Sequence, residues 1–391
     1  MPEYANYRVE IEGTEGFTLN TDLLDTGLLG YLAQDVTEYV RSININSGRS
    51  NDQDKFTAGT MSVVFDNRTR MFDPDPSSGN PWYSIIKPRK KIVAYAYAPG
   101  RTYLTNEQFV GFIDDWSFSY DVSGESLATA QASDALSILA TQDITLTSPP
   151  VEKSDARFRR VLTNSQVGWP LENFYSSGAA FNMNNASYSG NALEYLQSIA
   201  ASEAGFAFVT QNGVIRFYGW NYFTGIPTVI TFGYVEDTLF VPFTNIETVY
   251  GTEQLTNYAT VISPAGTAIS QDLPSQLENR ITSSSADVLT SNLPEMQLLA
   301  DLLISTYKEP LFRVDSLTVS IPGVFKTLGA DYVNGLLDLD IGYSNEVTWK
   351  PNNIGGEFYR QVVIVGRKVS ITPDNFDITY NFIPYITRSA Y

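Results

Sequence analysis

The chain has 391 residues, 43% hydrophobic and 17% charged, with a formal net charge of −18. This length exceeds what a single hydrophobic core supports, so two or more domains are expected. With no Cys and no His, disulfides, thiolate nucleophiles, Cys-based zinc sites, Ser-His-Asp triads and imidazole proton shuttles are excluded, and the acid excess disfavours tight phosphate binding.

No apolar run approaches the ~18 residues of a membrane span, and Met1-Pro2-Glu3-Tyr4 lacks the basic start and apolar run of a signal peptide. A soluble chain without stable membrane insertion is therefore expected. Aromatics reach 13%, with 24 Tyr and 22 Phe, and such side chains pack well on half-buried sheet. Alternation or dense β-formers predict strands at Tyr7–Ile11, Tyr39–Asn46, Thr60–Phe65, Lys91–Ala98, Gln108–Asp114, Trp116–Tyr120 and Leu127–Ala132. Breakers at Gly48, Asp73-Pro74-Asp75-Pro76, Pro99-Gly100 and Ser123-Gly124 separate them. A short helix follows over Asp134–Thr141 with Ser133 as its N-cap, and Ser148-Pro149-Pro150 reads as a linker.

The next segment predicts a helix opening on the capping box Asn191-Ala-Leu-Glu194, with Leu193, Leu196, Ile199 and Ala200 on one face and Gly205 as the left-handed C-terminal residue. Phe206–Val209 and Val214–Tyr218 flank Asn212-Gly213, a hairpin signal. Beyond residue 236 the pattern returns to strands, interrupted by one helix over Pro294–Lys308 with Leu298, Leu299, Leu302 and Leu303 as its buried stripe. Strands are predicted at Val314–Ile321, Val347–Lys350, Gln361–Val365, Val369–Thr372 and Phe376–Phe382. Phe109-Val-Gly111 and Ile364-Val-Gly366 each join two strands and precede another alternating strand, a weak internal repeat that points to two related barrels.

Chemistry-bearing patterns are few. Asp73-Pro-Asp75-Pro-Ser77-Ser-Gly79 looks like a calcium loop, but its Gly is displaced and no Glu closes it, so a Pro-stiffened turn is favoured and no metal is expected. Asp114-Asp115 offers two carboxylates, yet neighbours on a strand point to opposite faces. Pro88-Arg-Lys-Lys91 reads as a solvated strand edge. No nucleotide loop or GxSxG occurs, so neither a catalytic residue nor a cofactor is assigned. A carboxylate-dependent carbohydrate-active enzyme and an adhesin using Trp82, Trp116, Trp169 and Trp220 are the alternatives to a structural protein.

The segment Val40-Arg-Ser-Ile43, Ser47-Gly-Arg49, Ala58-Gly-Thr60-Met-Ser-Val-Val-Phe65-Asp-Asn67 and Met71-Phe-Asp-Pro74 resembles the opening of bacteriophage tail-tip hub proteins, the minor tail proteins of long-tailed phages. Lys87-Pro88-Arg89-Lys-Lys91 departs from their Pro-Gly-Arg step. Asn191–Trp220 is similar to their middle module and Leu298–Val319 to their helix-to-strand passage. The resemblance implies a mainly β fold with an α+β insertion: β-barrel hub domains at 1–148 and 236–391 flanking a helix-hairpin module at 149–235. It implies a virion component assembled in the host cytoplasm, not an enzyme. Three copies are expected to form a pseudo-sixfold ring around the channel for DNA and the tape-measure protein. That ring joins a distal tail protein or the tube ring to tip fibre or spike proteins. DNA then passes without specific binding along a neutral or negative lumen. Glu3, Glu10, Glu12, Glu15, Asp22, Asp25, Asp35 and Glu38 are an expected source of that charge, with Arg89 to Lys91 away from it.

Overall fold

A computed structural model describes residues 5–13, 33–50, 54–76, 79–102, 106–223, 225–233 and 240–385. The chain opens with seven strands: β1 (Asn6–Glu12), β2 (Ala33–Asp35), β3 (Val40–Gly48), β4 (Thr57–Asp66), β5 (Lys91–Tyr97), β6 (Glu107–Tyr120) and β7 (Ser126–Ser133). Period-two patterning drives them. In β4, Met61, Val63 and Phe65 are buried while Thr60, Ser62 and Val64 alternate onto the other face. The two strands expected either side of Asp115 are one continuous β6, which steps out of register with β7 between Ile113 and Asp115. A bulge bends a strand without ending it.

Helix α1 (Ala135–Leu139) is capped by Asp134, not Ser133. Ser133 is the last residue of β7, opposite Thr60. The Asp134 carboxylate accepts from the Leu136 and Gly59 N–H groups, tying the helix to β4. The middle module follows, with β8 (Asp143–Leu146), β9 (Glu152–Lys153), α2 (Ser154–Leu162), β10 (Phe174–Ser177), β11 (Asn182–Met183), β12 (Tyr188–Asn191), α3 (Ala192–Ala201), β13 (Phe206–Val209) and β14 (Ile215–Tyr218). Asn191 caps α3 through the Glu194 N–H, as its sequence predicts. The Asn212-Gly213 hairpin forms, with Gly213 at φ 81°. Ala204, rather than Gly205, takes the left-handed turn after α3, at φ 47°. Gly205 serves close approach instead: a Cβ there would lie 2.6 Å from the Tyr218 carbonyl oxygen. Ser148-Pro149-Pro150 is packed down, since the Pro150 carbonyl accepts from the buried Arg157 guanidinium.

The remaining elements are β15 (Thr228–Gly233), β16 (Asn245–Gly251), β17 (Tyr258–Ser263), β18 (Gly266–Gln271), α4 (Leu273–Asn279), β19 (Ser283–Asp287), α5 (Leu293–Tyr307), β20 (Leu311–Ser320), α6 (Ile321–Leu328), α7 (Ala330–Leu337), β21 (Ser344–Trp349), β22 (Phe358–Ile371) and β23 (Phe376–Pro384). Helix α5 buries Met296, Leu299, Ala300, Ile304 and Tyr307, leaving Leu298 and Leu302 only partly covered. Its apolar residues run nearly all round, so spacing alone did not fix the inward face.

The fold is mainly β with an α+β insertion. A thirteen-stranded sheet runs β16-β20-β23-β22-β3-β4-β7-β6-β5-β1-β2, with β21 also pairing β22 and β15 pairing β21. One core lies beneath it, including Ile43, Phe65, Leu317 and Tyr380, and is closed partly by Val324 of α6 and Val333 and Leu336 of α7. A second core joins α1, α2 and α3 to α5 and the small β18-β17-β19 sheet.

Two quartets within the large sheet repeat one another: β3-β4-β7-β6 and β16-β20-β23-β22. All pairings within them are antiparallel. Strand β22 steps out of register with β23 between Ile364 and Gly366, as β6 does between Ile113 and Asp115. Both hairpins close alike, Asp121 N–H to the Glu125 carbonyl and Thr372 N–H to the Asn375 carbonyl. Ile113 therefore corresponds to Ile364, Asp115 to Gly366 and Tyr120 to Ile371. The Val-Gly alignment expected from sequence is displaced, because the two glycines have different jobs. A Cβ on Gly111 would meet the Ser133 carbonyl at 2.5 Å, and one on Gly366 the Arg49 carbonyl at 2.3 Å.

Candidate functional site

The eight strands from β16 to β6 bury one face and present the other as a polar wall. Register lines its residues into rows. One row crosses Ser320, Asp377, Ser370, Asn44, Ser62, Gln131 and Asp115. The next crosses Asn245, Thr318, Thr379, Lys368, Asn46, Thr60 and Ser133. Each residue alternates along its strand with the core-facing set, so one sequence period places apolar side chains beneath and hydroxyl or amide side chains above. Neighbours within the rows bond to one another: Thr318 and Thr379 hydroxyls at 2.8 Å, Ser370 to Asn44 at 3.1 Å, and Gln131 to Ser62 at 3.0 Å.

Charges on this wall are sparse. Its acidic members are Asp115, Asp377, Glu247, Asp315 and Asp66; Asp315 lies near Glu247 and Lys368 and 3.8 Å from Arg313, and Asp66 is held by Arg41 and Arg68. Those two guanidiniums outweigh its partial burial and hold the Asp66 carboxyl well below the usual range. The wall offers neither an apolar patch for docking nor a basic groove for phosphate. Sequence reading missed this site. The signal was present as period-two Ser/Thr/Asn, as in Ser42, Asn44 and Asn46, which is easily taken for an ordinary solvated face.

The residues singled out from sequence lie elsewhere or serve packing. Asp73 is buried and pairs with Arg70, while its backbone carbonyl accepts from Asn80. Ser77 lies outside the described residues. Among the described residues no group of three acidic side chains could hold a metal ion. Asp115 sits on the polar wall, with Asp114 taking the bulge position beside it. Arg89 to Lys91 lead into β5, beyond β6, where Lys90 stands 3.6 Å from Glu12. Of the acidic residues in the first forty, Glu3, Glu15, Asp22 and Asp25 lie outside the described residues. Glu10, Glu12, Asp35 and Glu38 belong to the β1–β2 end and its following turn, not to the polar wall.

The tryptophans form no exposed aromatic patch. Trp82 packs edge-on against Tyr39 and Phe72, Trp116 stacks with Phe118, and Trp220 is buried against Phe181. The half-buried Trp169 indole N–H reaches the Asn173 carbonyl at 3.4 Å. A cavity of about 720 Å³ between Arg49, Phe56, α3 and α5 is walled mostly by Ala, Ser and Leu. No described helix is long and apolar enough to cross a membrane.

No protein-family model matches the chain, and no curated protein matches it. Among solved structures it is similar to the tail protein from Neisseria meningitidis MC58, with a TM-score of 0.62 and 12% identity over 97% of this chain and 96% of that one. It is also similar to the 43 kDa tail protein of prophage MuSo2 from Shewanella oneidensis, with a TM-score of 0.54 and 12% identity over 96% of this chain and 98% of that one. Over its described residues the chain has the fold of these tail proteins.

Proposed function

We propose that the chain is a structural component of a phage tail tip, three copies of which form a pseudo-sixfold hub ring with the polar eight-stranded wall facing the channel. The observation that carries this reading is the internal repeat. Two equivalent four-strand quartets lie side by side in each chain, so three chains supply six similar units, able to meet a sixfold tube on one side and threefold tip parts on the other. Strands stand ~4.8 Å apart, so three copies of the eight-strand wall span a circumference of roughly 115 Å before tilt widens it. That leaves an opening wider than a B-form duplex. A Ser/Thr/Asn lining with few charges releases no counterions from DNA, so phosphates find nothing to grip. Arg89 to Lys91, beyond β6, lie off this lining. The ring links a distal tail protein or tube ring to fibre or spike proteins, with the tape-measure protein and DNA as transient occupants. A scaffolding role without enzymatic chemistry suits a wall of hydroxyls and amides. Electrophoresis with duplex DNA at low salt tests the lining. The protein is expected to leave DNA unshifted, whereas tight, salt-dependent retention overturns a sliding wall.

A further inference from the structure

We infer that the groove between Arg49, Phe56, α3 and α5 takes a short extended segment of a partner protein, which adds to the small β18-β17-β19 sheet along the outer edge of β19. This goes beyond the ring and does not depend on it. Strand β19 ends the small sheet and pairs only with β17, in the parallel sense. The Val288 N–H donates to the Ile262 carbonyl, and the Thr282 carbonyl accepts from the Tyr258 N–H. Those bonds turn the even-numbered backbone groups of β19 toward β17. The N–H and C=O groups of Ser283, Ser285 and Asp287 therefore point away from it, and among the described residues nothing bonds them. Strand edges are commonly guarded by lysine, proline or a covering loop. Along Ser283-Ser-Ser-Ala286 there is no such guard, and residues 284–287 line the groove.

The leucines of α5 supply the floor. Leu299 is buried, but Leu302 and Leu303 are only half-covered, and all three line the groove. Leu303 packs into neither core. Thr306 lines it as well, and its Oγ1 is shielded from water without a hydrogen-bond partner among the described residues. A strand added beside β19 continues the sheet over this floor. Its side chains on the Ser284 and Ala286 face meet the leucines, and the alternate ones turn away. The five residues of β19 offer about 17 Å of edge. A folded second copy needs on the order of 800 Å² from each partner, more than a groove of about 720 Å³ supplies. The occupant is therefore a peptide segment rather than a domain. Among the lining residues Arg49 and Lys55 balance Asp54 and Asp287. In a chain of net charge −18 this groove is neutral, which suits an uncharged segment with an apolar residue at every second position.

The probe is a dye-labelled, end-capped pentapeptide alternating threonine and valine, titrated into the full chain by fluorescence anisotropy. It is expected to bind and to slow amide hydrogen exchange across residues 283–287. The same peptide N-methylated at alternate residues keeps its side chains but loses edge donors, and is expected to bind at least about tenfold more weakly. Ser285→Pro removes an outward N–H and leaves the β17 ladder alone, so peptide binding is expected to be lost at unchanged melting temperature. Leu303→Asp charges the floor and is expected to do the same. Absence of binding at millimolar peptide overturns the proposal. Binding that survives Ser285→Pro, tolerates N-methylation or protects a segment other than 283–287 overturns it equally.

Discussion

Because the chain has no His, no side chain with an ordinary pKa titrates between about pH 5 and 8. That window is left to carboxyls displaced by burial. Burial outweighs the Gly59 and Leu136 N–H groups facing Asp134 and pushes its carboxyl up to about 7. Burial likewise lifts Glu203 to about 7, against the Phe181 and Ala180 N–H groups and the Ser154 hydroxyl. Asp340 and Asp315 move in the same direction for the same first cause. The unfolded chain releases these protons near pH 4, so between about 4 and 7 the native state binds more protons than the unfolded one. Stability therefore falls as pH rises through that range and levels off above it. At about 1.4 kcal/mol per pKa unit, Asp134 and Glu203 together remove about 5 kcal/mol between pH 5 and pH 8. Urea unfolding across this range measures it, and Asp134→Asn, which keeps an oxygen for the Leu136 N–H, is expected to remove about half of the slope. Stability that is flat or rises toward pH 8 refutes the reasoning.

Truncating Arg157 to Ala strips donors from Glu152, the Tyr195 hydroxyl and the Pro150 and Asn184 carbonyls. A loss of about 3–5 kcal/mol by chemical denaturation is expected, and a loss under 1 kcal/mol contradicts a structural role for this network. Gly48→Ala combines φ 89° with a Cβ 2.2 Å from the Val365 carbonyl, at the β22–β3 seam. It is expected to cost about 3 kcal/mol or more, read as a lowered melting temperature. Replacing Ser62, Ser117 and Thr129 by Lys on the polar wall leaves the buried face untouched, so the fold is expected to hold. The assembled ring should then retain duplex DNA in a salt-dependent way that wild type does not.

Local chemistry made much of the fold legible. Asn191 with Glu194 announced α3, Asn212-Gly213 announced a hairpin, and alternation located most strands of the large sheet. What escaped were features decided by tertiary contact. Asp134 rather than Ser133 became the cap because a buried carboxyl there also reaches Gly59. The inward face of α5 turned to Met296 and Ile304 because of the small sheet beneath it, not because of its leucine spacing. The repeat was legible as an idea but set in the wrong register. Val-Gly is a cheap match, whereas the true correspondence is carried by a bulge and a turn that sequence does not print. The polar wall went unseen because exposed Ser, Thr and Asn look alike whether they face bulk water or a channel.

Single-particle imaging of the assembled tail tip tests the central claim most directly. Three copies are expected around the channel, with Asn44, Ser62, Gln131 and Thr379 pointing into it. A different copy number, or a ring that turns this wall outward, contradicts the proposed function.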